Sequence, residues 1–361
     1  MRTYLDHNAT SPLRPAAKAA MLAAMDAVGN ASSVHREGRA ARKVLDDARD
    51  GVAQAIGVIA PMVVFTSGGS EANNMALKGA AVERLIVSAI EHPSVLEAAK
   101  ASGKAVEIIP AGGNGIVDLA ALEKLLPGPR ALVSVMLANN ETGVIQPIRE
   151  IAALAHAHGA LVHTDAVQAL GKIHVNFGLL GADLMTLSAH KFGGPLGAGA
   201  LVIRDGLAIT PLIHGGGQEL RRRAGTENVT AAAGFAAVAS EKLHNISILR
   251  DTLDTSLDGV TIFGKNAERL PNTTCFAHPG LNAETLLMAL DLDGIAVSSG
   301  SACSSGKVAR SHVLTAMGIS DELARAAIRI SLGWNTTRHD IEHFIATWQR
   351  ILTRHRARAA A

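Results

Sequence analysis

The sequence predicts an α/β protein: a mostly parallel, doubly wound sheet joined to a smaller α+β unit. Three observations lead there. Short apolar runs alternate with longer stretches of helical composition from about residue 50 to 205. Hydrophobic residues make up 48% of the chain and charged residues only 18%, which permits a large core and disfavours disorder. Aromatics are scarce at 3% while glycine numbers 35, a balance better suited to a helix-rich α/β enzyme than to a β-sandwich. The 361 residues exceed one ordinary core and set an expectation of about two domains.

The apolar runs fall at residues 62–65, 85–89, 132–137, 161–163, 184–187 and 200–203. They do not alternate and are broken only by Ser88, Ser134, His163 and Thr186, as strands buried on both faces require. Helical composition fills 71–80, 93–101, 119–125 and 147–158 between them, so right-handed crossovers give a parallel arrangement. After about residue 231 the rhythm changes. One long Ala-rich helical stretch covers 231–257, followed by strand-like 260–263 and 273–277, a helix at 283–291 and strand-like 295–297. A Gly/Ser-rich segment at 298–306 precedes a strand with a helical entrance at 324–332 and a final helix at 340–354. No internal repeat or disordered linker interrupts this order.

Several function classes are disfavoured at once. Net charge is +2, from 34 Lys+Arg against 32 Asp+Glu, without the basic excess of a nucleic-acid binder. Two cysteines exclude a disulfide scaffold and a Cys-rich zinc site. No apolar segment follows Arg2 and no run approaches a membrane span, so the expectation is a cytoplasmic protein without membrane or nucleic-acid partners. Gly300 and Gly306-Lys307 are wrongly spaced for a P-loop, Gly215-Gly216-Gly217 lacks the dinucleotide spacing, and no His-Glu-x-x-His pair occurs.

In an open α/β sheet, ligands sit beyond the carboxyl ends of the strands. Five such ends carry polar groups: Thr66-Ser67-Gly68-Gly69-Ser70-Glu71, Glu91-His92-Pro93, Asn139-Asn140-Glu141-Thr142-Gly143, Asp165 with Gln168, and Ser188-Ala189-His190-Lys191. The Ser67 to Ser70 loop opens a helix, which reads either as a phosphate site or as a turn with Ser70 as N-cap. Lys191 reads either as a surface lysine or as a Schiff-base lysine in a desolvated site. With Asp165 as an acidic partner for a ring nitrogen, these parts together describe a site for pyridoxal phosphate. His92 reads as a structural histidine or as a group over the ring. Cys303 sits among glycines and serines, a setting that suits an exposed nucleophile, whereas Cys275 alternates like a core strand residue.

At these residues the chain resembles a cysteine desulfurase of the NifS/IscS-like group, within the class V pyridoxal-phosphate-dependent aminotransferase superfamily. The resemblance rests on Tyr4-Leu-Asp-His-Asn-Ala-Thr-Ser11, Phe65-Thr-Ser-Gly-Gly-Ser-Glu71, Glu91-His-Pro93, Asn139-Asn-Glu-Thr-Gly143, His163-Thr-Asp-Ala-Val-Gln168, Ser188-Ala-His-Lys191, Arg223-Ala-Gly-Thr-Glu-Asn228 and Ser298-Ser-Gly-Ser-Ala-Cys303. It implies a type I pyridoxal-phosphate transferase fold with a seven-stranded sheet. Residues 15–255 would form the large cofactor domain, and 256–361 with 1–14 the small one.

The resemblance also implies roles. Lys191 would carry pyridoxal 5′-phosphate, Asp165 would meet its ring nitrogen, Gln168 its ring hydroxyl, and His92 its ring face while assisting proton transfers. Gly69, Ser70, Ser188 and His190 would hold the phosphate, with Thr226 arriving from the second subunit of a homodimer. Asn140 and Arg329 would hold the carboxylate of L-cysteine, and Cys303 would accept its sulfur for an acceptor protein such as an iron–sulfur scaffold. No stable metal site is implied; a cluster would touch the Cys303 persulfide at most transiently.

The sequence departs from the family pattern in three places. Ser70 stands in place of threonine, Ala31 in place of proline and Leu196 in place of lysine. The Arg- and Ala-rich end lacks the acidic or aromatic tail that some relatives use to dock a scaffold. Competing readings are a transaminase, a selenocysteine lyase, or a sulfur-trafficking protein with a vestigial site.

Overall fold

The structure is a computed structural model that describes residues 2–300 and 310–359. Its first part runs β1 (Thr3–Tyr4), α1 (Pro15–Met25), α2 (Arg36–Ile56), β2 (Val63–Thr66), α3 (Gly69–Gly79), β3 (Arg84–Ser88), α4 (Pro93–Lys100), β4 (Ala105–Ile109), α5 (Leu119–Leu125), β5 (Ala131–Ser134), α6 (Ile148–Ala157), β6 (Leu161–Asp165), α7 (Phe177–Leu180), β7 (Leu184–Ser188), β8 (Gly199–Ile203) and α8 (Val229–Ala239). The rest comprises α9 (Ile246–Thr255), β9 (Thr261–Ile262), β10 (Thr273–Ala277), α10 (Ala283–Leu292), β11 (Ile295–Ala296), β12 (Ser298–Ser299), α11 (His312–Ala316), α12 (Asp321–Ala326), β13 (Ile328–Ser331) and α13 (Arg338–Ala359).

Seven strands form the main sheet in the order β2-β8-β7-β6-β5-β3-β4. The neighbours from β7 to β4 pair in parallel, and β8 runs antiparallel to both β7 and β2. Every residue of β3, β5, β6, β7 and β8 is buried, as the largely apolar runs require. Alternate residues feed two cores. Ile86, Val133, Val162 and Met185 pack with α2, α6 and α8 on one face, while Leu85, Val87, Leu132 and Leu184 pack with α3 and α4 on the other. All strands but β8 therefore point their carboxyl ends toward one rim.

A second core joins Leu5, Ile246, Leu253, Phe276, Leu290, Ile328, Ile330, Phe344 and Trp348. Around it lie a four-stranded antiparallel sheet, β12-β13-β10-β9, and the parallel pair β1–β11. The Phe276 and Trp348 rings meet edge to face at 5.4 Å. β10 serves both cores: Phe276 faces the second, while Cys275 and Ala277 face the first. Cys275 is fully buried, and burial raises its thiol pKa.

Three details differ from the sequence expectations. The helical stretch at 231–257 is two helices, α8 and α9, separated by residues 240–245, with Asn245 in the left-handed region at φ 56°. β4 is a strand where none was expected; it lies at the sheet edge and is largely exposed or half-buried. Helix α3 is capped by Gly68, not Ser70, which sits in its first turn. Gly68 has φ 154°, and a Cβ on Gly199 of β8 would lie 2.5 Å from its carbonyl carbon. That close approach holds the start of α3 against the sheet. The Cys303 loop lies outside the described residues. Among the described residues, no helix is long and apolar enough to cross a membrane.

Candidate active site

At the rim where β3, β5, β6 and β7 end, a cleft of about 510 Å³ opens. Gly69, Ser70, His92, Asn140, Asp165, Gln168, Ser188, His190 and Lys191 all line it, so nine of the expected residues meet there. Each arrives on the turn or helix that follows a strand. Asp165 ends β6, Ser188 ends β7, Lys191 closes the 3-10 turn after β7, and His92 caps α4 after β3.

The carboxylate of Asp165 is held from two sides. Its Oδ1 accepts the Val167 N–H at 2.9 Å and its Oδ2 accepts the Asn73 amide at 2.7 Å. Lys191 donates to the backbone carbonyls of Asn8 at 2.8 Å and Ala9 at 3.0 Å. Burial first, and then the nearby Arg329 guanidinium, lower its pKa from the ordinary lysine value to about 8, against the opposing pull of Asp165 and Asp6. About a tenth of the amine is then neutral at pH 7, against roughly one part in 2,500 for an ordinary lysine. A neutral amine is what capture of an aldehyde requires.

The rim fits a phosphate. The first turn of α3 receives no side-chain cap from Gly68, and Gly69 and Ser70 face the cleft. Unsatisfied N–H groups at a helix start favour an anion. A Cβ on Gly69 would sit 3.0 Å from Val167 Cγ2 and 3.6 Å from Ser188 Cβ, so glycine keeps this helix end close to Ser188. His190, with Nδ1 3.2 Å from Thr10 Oγ1, has its pKa lowered to about 4 by burial and by Lys191 and Lys172. It is neutral at pH 7 and retains one ring N–H. The donor set of the cleft therefore suits a pyridine ring bearing a phosphate and an aldehyde: an amine, a fixed carboxylate and an uncapped helix start.

Arg329 stands beside this group. It donates to the Asn140 carbonyl at 2.9 Å and to Asp6 at 2.7 Å, and its Nε has no hydrogen-bond partner among the described residues. The Asn140 Oδ1 is likewise buried without one. Thr226 is not in the cleft. It is exposed and lines a separate cavity of about 670 Å³ with Ser67, Glu219, Arg223 and Asn228. Ser67 precedes α3, so the two cavities flank one loop.

Sequence reasoning missed five polar residues of this region. Asn8 accepts from Lys191 and from Gln168 at 3.0 Å through its carbonyl, and from Lys172 at 2.7 Å through Oδ1. Lys172 also donates to Gln168 at 2.5 Å, which turns the Gln168 carbonyl inward and leaves its NH2 group as the donor. Asp6, Asn73 and Ser94 are the other three. Asp6 and Asn8 fall inside the N-terminal motif quoted above; Lys172, Asn73 and Ser94 carry no sequence signal beyond their proximity to Gln168, Glu71 and His92.

The chain matches the aminotransferase class-V family over residues 3–344. It is 41% identical to the cysteine desulfurase IscS of Dictyoglomus turgidum, with 97% of this chain and 94% of that protein covered. It is 38% identical to the IscS-like cysteine desulfurase of Mycobacterium tuberculosis, over 99% of this chain and 98% of the relative. Among solved structures, a NifS-like protein from Rickettsia africae superposes with a TM-score of 0.90 at 38% identity, over 98% of this chain and all of that one. A structure described as SspA in complex with cysteine superposes with a TM-score of 0.83 at 30% identity, over 93% of this chain and all of that one.

The lowered pKa of Lys191 is open to direct measurement. Trace acetylation of the cofactor-free protein should modify Lys191 with a rate that rises through about pH 8 and then levels, because only the neutral amine reacts. A midpoint at the ordinary lysine value would mean that burial does not weaken the proton on this amine.

Proposed function

From a chain that belongs to the aminotransferase class-V family, and is a cysteine desulfurase of its NifS/IscS-like group, we infer that the cleft binds pyridoxal 5′-phosphate and takes sulfur from L-cysteine. The observation that carries this reading is the meeting of Lys191, Asp165 and the start of α3 in one cleft. In our reading Lys191 bonds the cofactor, Asp165 faces its ring nitrogen, the Gln168 NH2 group its ring hydroxyl and His92 its ring face. Gly69, Ser70, Ser188 and His190 hold the phosphate. When bound, the cofactor supplies an aldehyde and a ring that withdraws electrons from the substrate α-carbon.

The residues of this chain do the rest. Asn140 and Arg329 hold the substrate carboxylate; the Arg329 Nε, without a hydrogen-bond partner among the described residues, supplies a donor for it. Once released, Lys191 takes the α-proton, and the raised neutral fraction of its amine suits that duty. The Cys303 thiolate attacks the substrate sulfur. An S–S bond forms, the carbon–sulfur bond breaks, and its electron pair stays with the carbon skeleton, which is protonated and leaves as alanine. Cys303 keeps the sulfur as a persulfide for an acceptor protein of the iron–sulfur scaffold type. The setting we propose is the cytoplasm, and the division of the chain we propose is a cofactor domain at 15–255 and a smaller domain at 256–361 with 1–14. α9, at the edge of the former, packs into the second core.

We further propose a homodimer in which Thr226 completes the partner's phosphate site. Its exposure, and its distance from its own chain's cleft, support that reading. Mixing Lys191→Ala with Thr226→Ala should then restore activity that neither has alone, because one site of the mixed dimer holds both native residues. No recovery under demonstrated subunit exchange would contradict the shared site.

The reaction itself is tested at the two cysteines. Cys303→Ser should keep the bound cofactor and lose alanine formation. Cys275→Ser should keep alanine formation while losing about 1–3 kcal/mol of stability, because it buries a hydroxyl in an apolar core. Alanine release by Cys303→Ser at the native rate would point to a lyase or transaminase instead.

A further inference from the structure

Asp165 and His92 lie on different strand ends, yet one chain of hydrogen bonds joins them. The Asn73 amide nitrogen donates to Asp165 Oδ2 at 2.7 Å and to Ser94 Oγ at 2.9 Å. A carboxylate only accepts, so the amide orientation is fixed by Asp165. Ser94 Oγ, already accepting from Asn73, turns its own proton to His92 Nδ1 at 2.8 Å. The Ser94 backbone N–H also donates to that nitrogen, at 3.1 Å, in the first turn of α4. His92 Nδ1 thus receives two donors, one of which cannot rotate away.

From this we infer that Asn73 and Ser94 are positioning residues that hold His92 in one neutral tautomer, with its proton on Nε2, so that His92 serves the site as a hydrogen-bond donor and not as a base. The inference rests on the reading of the cleft given above. A base acting through Nε2 needs the proton on Nδ1, where it would meet the Ser94 N–H and strip α4 of its cap. Nε2 has no protein partner among the described residues, so its N–H is available to the cleft. The charged and titratable groups acting on His92 are Asp165, Lys191 and His312; burial, the largest influence, together with Lys191 and His312 disfavours the imidazolium against the opposing pull of Asp165. Removal and return of substrate protons then fall to Lys191. The same chain ties the Asp165 carboxylate to the histidine, so the residue expected at the ring nitrogen and the residue expected at the ring face are set by one amide.

The tautomer is read from the ring nitrogens of histidine-15N-labelled holoprotein by NMR, with the His92 signals identified by their loss in His92→Gln. The expected spectrum at neutral pH has a pyridine-like Nδ1 and a protonated Nε2. A proton on Nδ1, or an exchanging mixture, would overturn the inference. In Ser94→Ala one donor to Nδ1 is lost, and the pH at which His92 takes a second proton should rise by roughly half to one unit. Asn73→Ala should raise it too, since the serine hydroxyl becomes free to accept, whereas Ser94→Thr should leave it in place. An unchanged titration in both alanine variants would remove Asn73 and Ser94 from their assigned role. These signals do not depend on turnover. If the protein released no alanine from cysteine, the desulfurase reading would fail while the tautomer result stood.

Discussion

Asn8 is the node on which the rest of the site depends. It is 1% exposed, and every polar group it owns is bonded. Its N–H donates to Ser331 Oγ at 2.9 Å, and its amide donates to Thr273 Oγ1 at 2.9 Å and to the Asn140 carbonyl at 3.3 Å. Its Oδ1 accepts from Lys172 and Asn272, and its carbonyl accepts from Lys191 and Gln168. β13 and the β10 region thereby reach the main sheet through one side chain and one peptide. A buried network of this kind is stabilising only when every member is satisfied, and each lost partner leaves an unpaired polar group in a medium that penalises it. The position of Lys191 therefore depends on the N-terminal segment and the C-terminal strands together.

Burial around this node sets the charge states. His190, with a pKa near 4, and His163, near 3, are neutral at pH 7 chiefly because burial disfavours the imidazolium. Lys172 is driven well below the ordinary lysine value by burial, and then by Lys191 and Arg329. Glu91, next to His92, is raised to about 8 by burial despite donors from Ser88 and Met136, so it is mostly protonated at pH 7. The cleft holds few net charges of its own and keeps its fixed donors and acceptors in place, the condition under which a charged ligand is held most firmly and an amine loses its proton most readily.

The largely apolar runs were enough to find the central strands, because burial on both faces leaves few polar positions, such as His163 and Thr164 in β6 and Thr186 in β7, to break the pattern. They were not enough for β4, whose Ala105, Val106 and Glu107 sit at an exposed edge without a clear period. The break between α8 and α9 was hidden by helix-forming composition on both sides, since one left-handed residue, Asn245, turns the chain without a proline. At the site, residues that follow strands were legible because topology sends all of them to one rim. Asn8, Asn73, Ser94 and Lys172 were not, because they act only on side chains brought near by folding. Thr226 was placed by resemblance alone, and in a single chain it lies apart from the cleft.

We propose that Lys191, held by the Asn8 and Ala9 carbonyls, is the amine that carries the cofactor. Lys172, which is buried, and Lys191, which is half-buried, share Asn8, so the choice between them is chemical and measurable. Holoprotein reduced with borohydride, digested and mapped by mass spectrometry should carry the pyridoxyl phosphate adduct on Lys191 alone. An adduct on Lys172 or on any other lysine, or no adduct in protein shown to bind the cofactor, would contradict the account.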